Sequence, residues 1–234
     1  MKQVFLKSGQ AVVENVPSPQ IDKGNILVRV DRSCISVGTE VSSLRLSGLS
    51  IYRRALKQPE NVSRVLSMIS EQGLKKTIDR VNGHLSSGSP TGYSASGTVI
   101  ALGDEVDYFS IGDRVACAGA GFANHAEEIS VPVNLAVKVP DSLSQEDAST
   151  VTLGSIAMQG VRRLNPAVCE TIVVVGLGIL GQITSQILKA NGCSVIVVDT
   201  DYSRCLLAKD IGANVAIDLS SENYIDTVIR HTSG

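Results

Sequence analysis

The stretch that most restricts what this chain can fold into runs from position 172 to position 199. Ile172-Val-Val-Val175 is an unbroken apolar strand, Gly176-Leu-Gly178-Ile-Leu-Gly181 follows it, and Leu180, Ile183, Ile187 and Leu188 form a helical stripe ending at Asn191-Gly192. A second strand, Val195–Val198, leads to Asp199, 23 residues past Gly176. Strand, glycine turn, helix and acid-terminated strand together are the pattern of a dinucleotide fold. Its first glycine permits the tight turn, its second lets the backbone approach a pyrophosphate, and its third lets helix and strand pack closely. The N–H groups of Ile179 and Leu180 then face the diphosphate, whose charge the helix dipole favours. Asp199 is expected to accept hydrogen bonds from the adenosine ribose hydroxyls, and it favours NAD because a carboxylate repels a 2′-phosphate. Arg204 keeps NADP open, since a nearby arginine accommodates that phosphate; its other reading is an exposed helix arginine.

The alternation continues to the end of the chain. Asp201 can cap a helix reaching Ile211 and closed by Gly212, Val215–Ile217 reads as a third strand, and Ser220/Ser221 precede a helix carrying Ile225, Val228 and Ile229. Such repeats imply parallel strands with right-handed crossovers. From Thr171 onward 64 residues hold three strand–helix units, whereas a doubly wound fold has six strands. The expectation is the first half of that fold, in an N-terminal fragment that does not catalyse alone, with an unpaired edge at Val195–Val198 or Val215–Ile217.

Upstream the texture is different. Ile26–Val30, Gly97–Leu102, Arg114–Ala118 and Glu128–Val131 are rich in β-branched residues, and Pro17-Ser-Pro19, Gly103-Asp104 and Gly112-Asp113 punctuate them. Residues 1–44 and about 95–140 therefore read as a compact β-barrel or sandwich. Residues 45–84 read as helical, with Val62, Val65, Leu66 and Ile69 on one stripe, Leu74, Ile78 and Val81 on another, and breaks at Pro59 and Gly73. The fold class expected is α/β plus β, with a catalytic β domain over 1–165, a basic helical insertion at 45–90, and a dinucleotide-binding domain over 166–234.

Charge and composition narrow the partners. Lys and Arg number 21 against 23 Asp and Glu, and aromatic residues make up 3% with no Trp. Neither a global positive field nor stacking platforms favour nucleic acid. No run approaches the ~20 apolar residues of a membrane span, and five cysteines at 34, 117, 169, 193 and 205 form no close pair, so a reducing, cytoplasmic location is the default. The near-neutral total hides a basic segment. Residues 45–84 hold Arg45, Arg53, Arg54, Lys57, Arg64, Lys75, Lys76 and Arg80 against Glu60, Glu71 and Asp79. Those cations would attract a phosphorylated or nucleotide-sugar substrate; the alternative is a solvated helical face or a contact surface for another subunit or domain.

Gly38-Thr-Glu40, Gly92-Tyr-Ser-Ala-Ser-Gly97, Leu102-Gly103, Gly112-Asp-Arg-Val115 and the Leu153–Val161 segment, joined to the nucleotide fold, resemble the medium-chain dehydrogenase/reductase family. That resemblance implies a GroES-like catalytic domain followed by a Rossmann domain. The basic stretch, the Gly-Tyr-Ser-Ala-Ser-Gly run and Ala157-Met-Gln-Gly-Val-Arg162 resemble a subgroup associated with polysaccharide biosynthesis. In that subgroup the unit can be fused to a second, sugar-type oxidoreductase; a homo-oligomer is the other expected assembly.

The departures from the family pattern bear on its metal. Zinc members carry a Cys where this chain has Val37, and Gly-His-Glu where it has Gly92-Tyr93-Ser94; Val151 to Val161 contains no Cys, His, Asp or Glu. Valine and leucine donate no electron pair to a metal, and Cys117 is the only cysteine between 35 and 168. No catalytic or structural zinc is expected, and Cys34 reads as a small buried hydrophobe.

Chemistry without zinc falls to three residues. Thr39 stands where zinc members place a relay hydroxyl and would hydrogen-bond a substrate carbonyl, or it is a strand-end threonine. Glu40 would orient Thr39 or an active-site base, or it forms a structural ion pair. Tyr93 would donate a proton to a developing alkoxide, or it packs. His125 reads as an acid or base or as a strand-edge residue; His84 and His231 carry no signal. The function expected is zinc-independent hydride transfer between NAD(P) and a carbonyl or alcohol, with a sugar-related substrate in view. Its alternatives are an NADPH-dependent quinone or enone reductase and a nucleotide-binding assembly module without turnover.

Overall fold

A computed structural model describes residues 1–49, 52–53, 56, 59–73, 76–77, 87–220 and 224–232, with 59–61 and 64–66 as backbone only. The chain forms two compact units, Met1–Val151 and Thr152–Gly234.

In the first unit, β1 (Lys2–Lys7) and β2 (Gln10–Asn15) pair antiparallel. Their turn residues, Ser8 and Gly9, both have positive φ (48° and 82°), the left-handed backbone that fits a two-residue turn to the strand twist. A short β4 (Ser89–Pro90) lies on the other side of β1. The main sheet has the order β7-β3-β5-β6-β8, with β3 Asn25–Ser33, β5 Ser94–Leu102, β6 Arg114–Ala118, β7 Glu128–Pro132 and β8 Ala136–Lys138. All its pairings are antiparallel. Ile26, Val28, Val99, Val115 and Val131 have no solvent exposure and form its core, each burial contributing about 1.5–3 kcal/mol.

The β-rich reading of residues 1–44 fails at its end. Val37–Ser47 is a helix, α1. Its local cause is Ser36, whose N–H donates to Glu40 Oε1 at 2.8 Å, so the helix satisfies an N-terminal donor from within, in the manner of one half of a capping box. The helical reading of 45–84 is met by α2 (Pro59–Gln72), which stops at Gly73, φ +82°. Leu74, Ile78, Val81 and His84 lie outside the described residues, as do Arg54, Lys57, Lys75, Arg80 and the side chain of Arg64. Arg45, Arg53 and Lys76 are exposed.

The second unit opens with the helix Val151–Leu164 and then alternates strand and helix. After α3 (Gln145–Ala148), that helix is α4; β9 (Thr171–Val175), α5 (Ile179–Ala190), β10 (Ser194–Asp199), α6 (Tyr202–Asp210), β11 (Val215–Asp218) and α7 (Tyr224–Thr232) follow. The sheet order β11-β10-β9 is parallel throughout, the first half of the doubly wound order. Val174, Val195 and Val197 pack with Leu188 and Val161 on one face; Ile196, Val198 and Ile217 pack with Val228 on the other. Because Val161 belongs to that cluster, α4 groups with the nucleotide fold, and the division falls after Val151 and not at 165.

The edge expectation is also corrected at Val195–Val198. That strand is central, because the two crossovers set β9 and β11 on its opposite sides; the edges are Thr171–Val175 and Val215–Asp218. Asp201 caps α6 by accepting the Ser203 N–H at 3.0 Å. Ser221 lies outside the described residues, and Ser220 instead donates its N–H to Asp218 at 2.8 Å.

Candidate functional site

The glycine turn is shaped by its backbone. Gly176 adopts φ +92°, a backbone that side chains with a Cβ avoid, and its N–H donates to the Val198 carbonyl at 2.8 Å, tying the turn to β10. A Cβ on Gly178 would meet nothing within 4 Å, whereas one on Gly181 would collide with the Gly176 carbonyl oxygen. Gly181 is therefore required by the chain itself, whereas Gly178 leaves open space at the head of α5. Gln182 N–H makes the turn's first helical bond, to the Gly178 carbonyl at 3.0 Å, so the Ile179 and Leu180 amides lie ahead of it in the positive end of the helix.

Asp199 ends β10 with 8% of its surface exposed. Its Oδ2 accepts the Leu177 N–H at 2.5 Å and its Oδ1 the Asp201 N–H at 2.8 Å. The carboxylate thus clamps the glycine turn to the strand end, a role sequence reading missed. Burial alone raises its pKa, but hydrogen bonds from Leu177 and Asp201 and the positive charge of Arg204 outweigh that and hold it below the ordinary aspartate value. A carboxylate offers about four lone-pair sites, so these two side-chain hydrogen bonds leave acceptor capacity free. Arg204 pairs through Nε with Asp201 Oδ2 at 3.3 Å and is half-exposed.

In the first unit, a cavity of about 330 Å³ is lined by Thr39, Glu40, Ser43, Thr91, Gly92 and Tyr93 among others. All three sequence-predicted catalytic residues meet in it. Thr39 is exposed, on the first turn of α1 and not at a strand end, and its hydroxyl lies 3.5 Å from Ser36 Oγ. Glu40 reaches inward: its Oε2 accepts the Thr91 hydroxyl at 3.2 Å and lies 3.0 Å from His125 Nε2. His125 Nδ1 lies 2.8 Å from Ser33 Oγ. With 10% and 14% of their side chains exposed, His125 and Glu40 form an enclosed pair. Sequence reading gave His125 no such partner, because it lies 85 positions from Glu40 and only the sheet brings them together. The available signal was Gly92, whose φ is +97° and where a Cβ would stand 2.6 Å from the His125 nitrogen.

Two positions tied to zinc by resemblance have other work. Tyr93 lines the cavity, and the Ser94 hydroxyl is buried, donating to the Ser149 carbonyl at 2.6 Å. Val37 is 64% exposed at the start of α1. Among the described residues, no three His, Cys, Asp or Glu side chains gather, and the side chains at these positions do not fit a catalytic zinc, which takes three protein ligands.

No family model matches the chain. It is 25% identical over 231 residues to an alcohol dehydrogenase of Geobacillus stearothermophilus, covering 95% of this chain and 64% of that one. It is 35% identical over 124 residues to the D-guloside 3-dehydrogenase of Escherichia coli K12, covering 52% of this chain and 35% of that one. The chain thus spans less than two thirds of both curated relatives. Its fold matches the crystal structure of Escherichia coli quinone oxidoreductase complexed with NADPH, with TM-score 0.75 and 17% identity over 100% of this chain and 63% of that one. These relatives and neighbours are alcohol dehydrogenase-like proteins of the medium-chain type, and the chain is similar to them. The GroES-like plus Rossmann architecture of the medium-chain fold accounts for both units described above. No described helix is long and apolar enough to cross a membrane.

All five cysteines are free thiols. Burial pushes the Cys117 thiol up to about 12, and burial followed by the charge of Glu40 raises Cys34, which is half-buried and not the fully buried residue expected from sequence. Cys169 is exposed. Alkylation of the native chain at pH 7.5, read by peptide mass spectrometry, is expected to modify Cys169 first and to leave Cys117 untouched until the chain is denatured. Early labelling of Cys117 would contradict this packing.

Proposed function

We propose that the chain supplies the substrate pocket and the adenosine-side cofactor site of a zinc-independent, NAD-dependent oxidoreductase acting on a carbonyl or secondary alcohol of a sugar-related compound. The observation that carries the reading is the glycine turn. Its left-handed Gly176, the open space at Gly178 and the clamped Asp199 fit a dinucleotide. Bound there, a nicotinamide cofactor supplies the hydride acceptor or donor. The chain's own part is to bind its diphosphate at Ile179 and Leu180 and its ribose at Asp199, and to hold the substrate oxygen near Thr39 and Tyr93.

The sugar-related substrate is supported by the relative that oxidises a guloside and by the cavity lining, where Thr39, Ser43, Ser47, Ser89, Thr91 and Tyr93 all carry hydroxyls. Exposed Arg45, Arg53 and Lys76 support a phosphorylated or nucleotide-linked form of that substrate, or a surface for a second subunit or a fused oxidoreductase domain. Free thiols at all five cysteines accord with a cytoplasmic setting.

Fluorescence quenching titrations test the cofactor assignment. NADH is expected to bind at least about tenfold tighter than NADPH, since the Asp199 carboxylate repels a 2′-phosphate. Tighter NADPH binding overturns it in favour of the quinone-reductase reading, for which Arg204, in the first turn of α6, is the supporting residue.

A further inference from the structure

We propose that Glu40 is the proton acceptor of the substrate cavity and that His125 is the positioning residue that holds its carboxylate in place, with Ser33 fixing the His125 tautomer. The inference rests on the reading of the cavity as an alcohol–carbonyl site and adds the group that handles the proton. Glu40 lines the cavity, yet its side chain is only 14% exposed. A carboxylate so enclosed keeps its charge only where donors surround it. Three do: the Ser36 N–H on Oε1 at 2.8 Å, and on Oε2 the Thr91 hydroxyl at 3.2 Å and His125 Nε2 at 3.0 Å. Of about four lone-pair sites, one on Oε1 is left for a proton arriving from the cavity.

His125 is fixed at three points. Its backbone N–H donates to the Thr91 carbonyl at 2.8 Å, and of its ring nitrogens Nε2 meets Glu40 and Nδ1 meets Ser33 Oγ at 2.8 Å. With a carboxylate on Nε2, the Nε2–H tautomer is favoured, and the Ser33 hydroxyl then donates to Nδ1. Gly92 supplies the room, since a Cβ there would press on the His125 backbone at 2.6 Å and on ring Cδ2 at 3.0 Å. A third titratable neighbour, Cys34, feels the Glu40 charge. In the oxidising direction, the substrate O–H bond breaks and its proton forms an O–H bond on Glu40. The adjacent C–H bond would break with its hydrogen leaving as hydride, which an oxidised nicotinamide dinucleotide, where bound, would accept as the C–O bond becomes a carbonyl, and Glu40 later releases its proton to water. The reverse direction uses protonated Glu40 as the acid.

Two measurements on the intact protein test the pair, beside NADH quenching, which reports the underlying cofactor reading separately. Ring ¹⁵N shifts of histidine are followed from pH 5 to 9 in wild type, Glu40→Gln and Ser33→Ala. Neutral His125 is expected to appear as the Nε2–H tautomer in wild type and to lose that preference in both Glu40→Gln and Ser33→Ala. The second measurement is the pH profile of secondary-alcohol and methyl-glycoside oxidation. Glu40→Gln is expected to lower kcat about a hundredfold or more with KM little changed. His125→Asn, which serves also if Glu40→Gln does not fold, is expected to lower kcat about tenfold with KM little changed across the pH range. A His125 tautomer unchanged in Glu40→Gln, or a kcat unchanged in His125→Asn, overturns the proposal even where NADH binds normally.

Discussion

Gly178→Val is expected to weaken NADH binding about a hundredfold or more, near 2.7 kcal/mol, while leaving the melting temperature of the chain unchanged. Gly178 has φ −64° and ψ −177°, extended backbone open to any residue, and a Cβ there touches no atom of the protein. The isopropyl group fills only the space a diphosphate would occupy. Gly181→Val is the contrasting variant. Its Cβ falls on the Gly176 carbonyl, so α5 must leave β9, and the second unit is expected to lose its cooperative melt along with the cofactor. Circular dichroism melts and fluorescence titrations of both variants, run side by side, check the pair. Wild-type affinity in Gly178→Val would show that the space at Gly178 is not a ligand site, and a wild-type melt in Gly181→Val would show that the close packing is not needed.

Asp199→Ala is expected to cost about 2–4 kcal/mol of stability at pH 7, measured by urea denaturation, and to remove NADH binding. The substitution leaves the N–H groups of Leu177 and Asp201 without their acceptor, and each buried donor so orphaned costs about 1–3 kcal/mol. Its pH dependence has a fixed sign. The Asp199 pKa is lowered in the folded chain, so its contribution is complete above the unfolded value, about 3.9, and is lost as pH falls through the lower folded value. The gap between wild type and Asp199→Ala should therefore narrow below about pH 4. A gap at pH 3 as wide as at pH 7 would rule out the carboxylate as the stabilising group.

The two halves of the candidate site differ in how far sequence revealed them. The glycine turn was readable because its parts are contiguous: β9, the three glycines, α5 and the strand bearing Asp199 follow within 29 residues, Thr171 to Asp199. Local sterics and hydrophobic period dictate each part, and the pattern places them in one βαβ unit. The clamp of Asp199 on the Leu177 N–H was hidden, since a hydrogen bond across a strand end leaves no periodic mark. Helix α1 was misjudged because its N-terminus is satisfied by Glu40 and Ser36, a pairing one residue wider than the usual capping box.

Sequence by itself determined the parallel sheet, the glycine turn, the β-rich character of the first unit and the absence of zinc-type donors at Val37 and Tyr93. Those features depend on residue type, spacing and backbone freedom, which act over a few residues. Only the tertiary structure decided that β10 is central, that α4 goes with the nucleotide fold, and that Glu40, Thr91, His125 and Ser33 share one hydrogen-bonded cluster. Ser33 and His125 are 92 positions apart along the chain. Their meeting follows from strand order and register, which set contacts that no local propensity encodes.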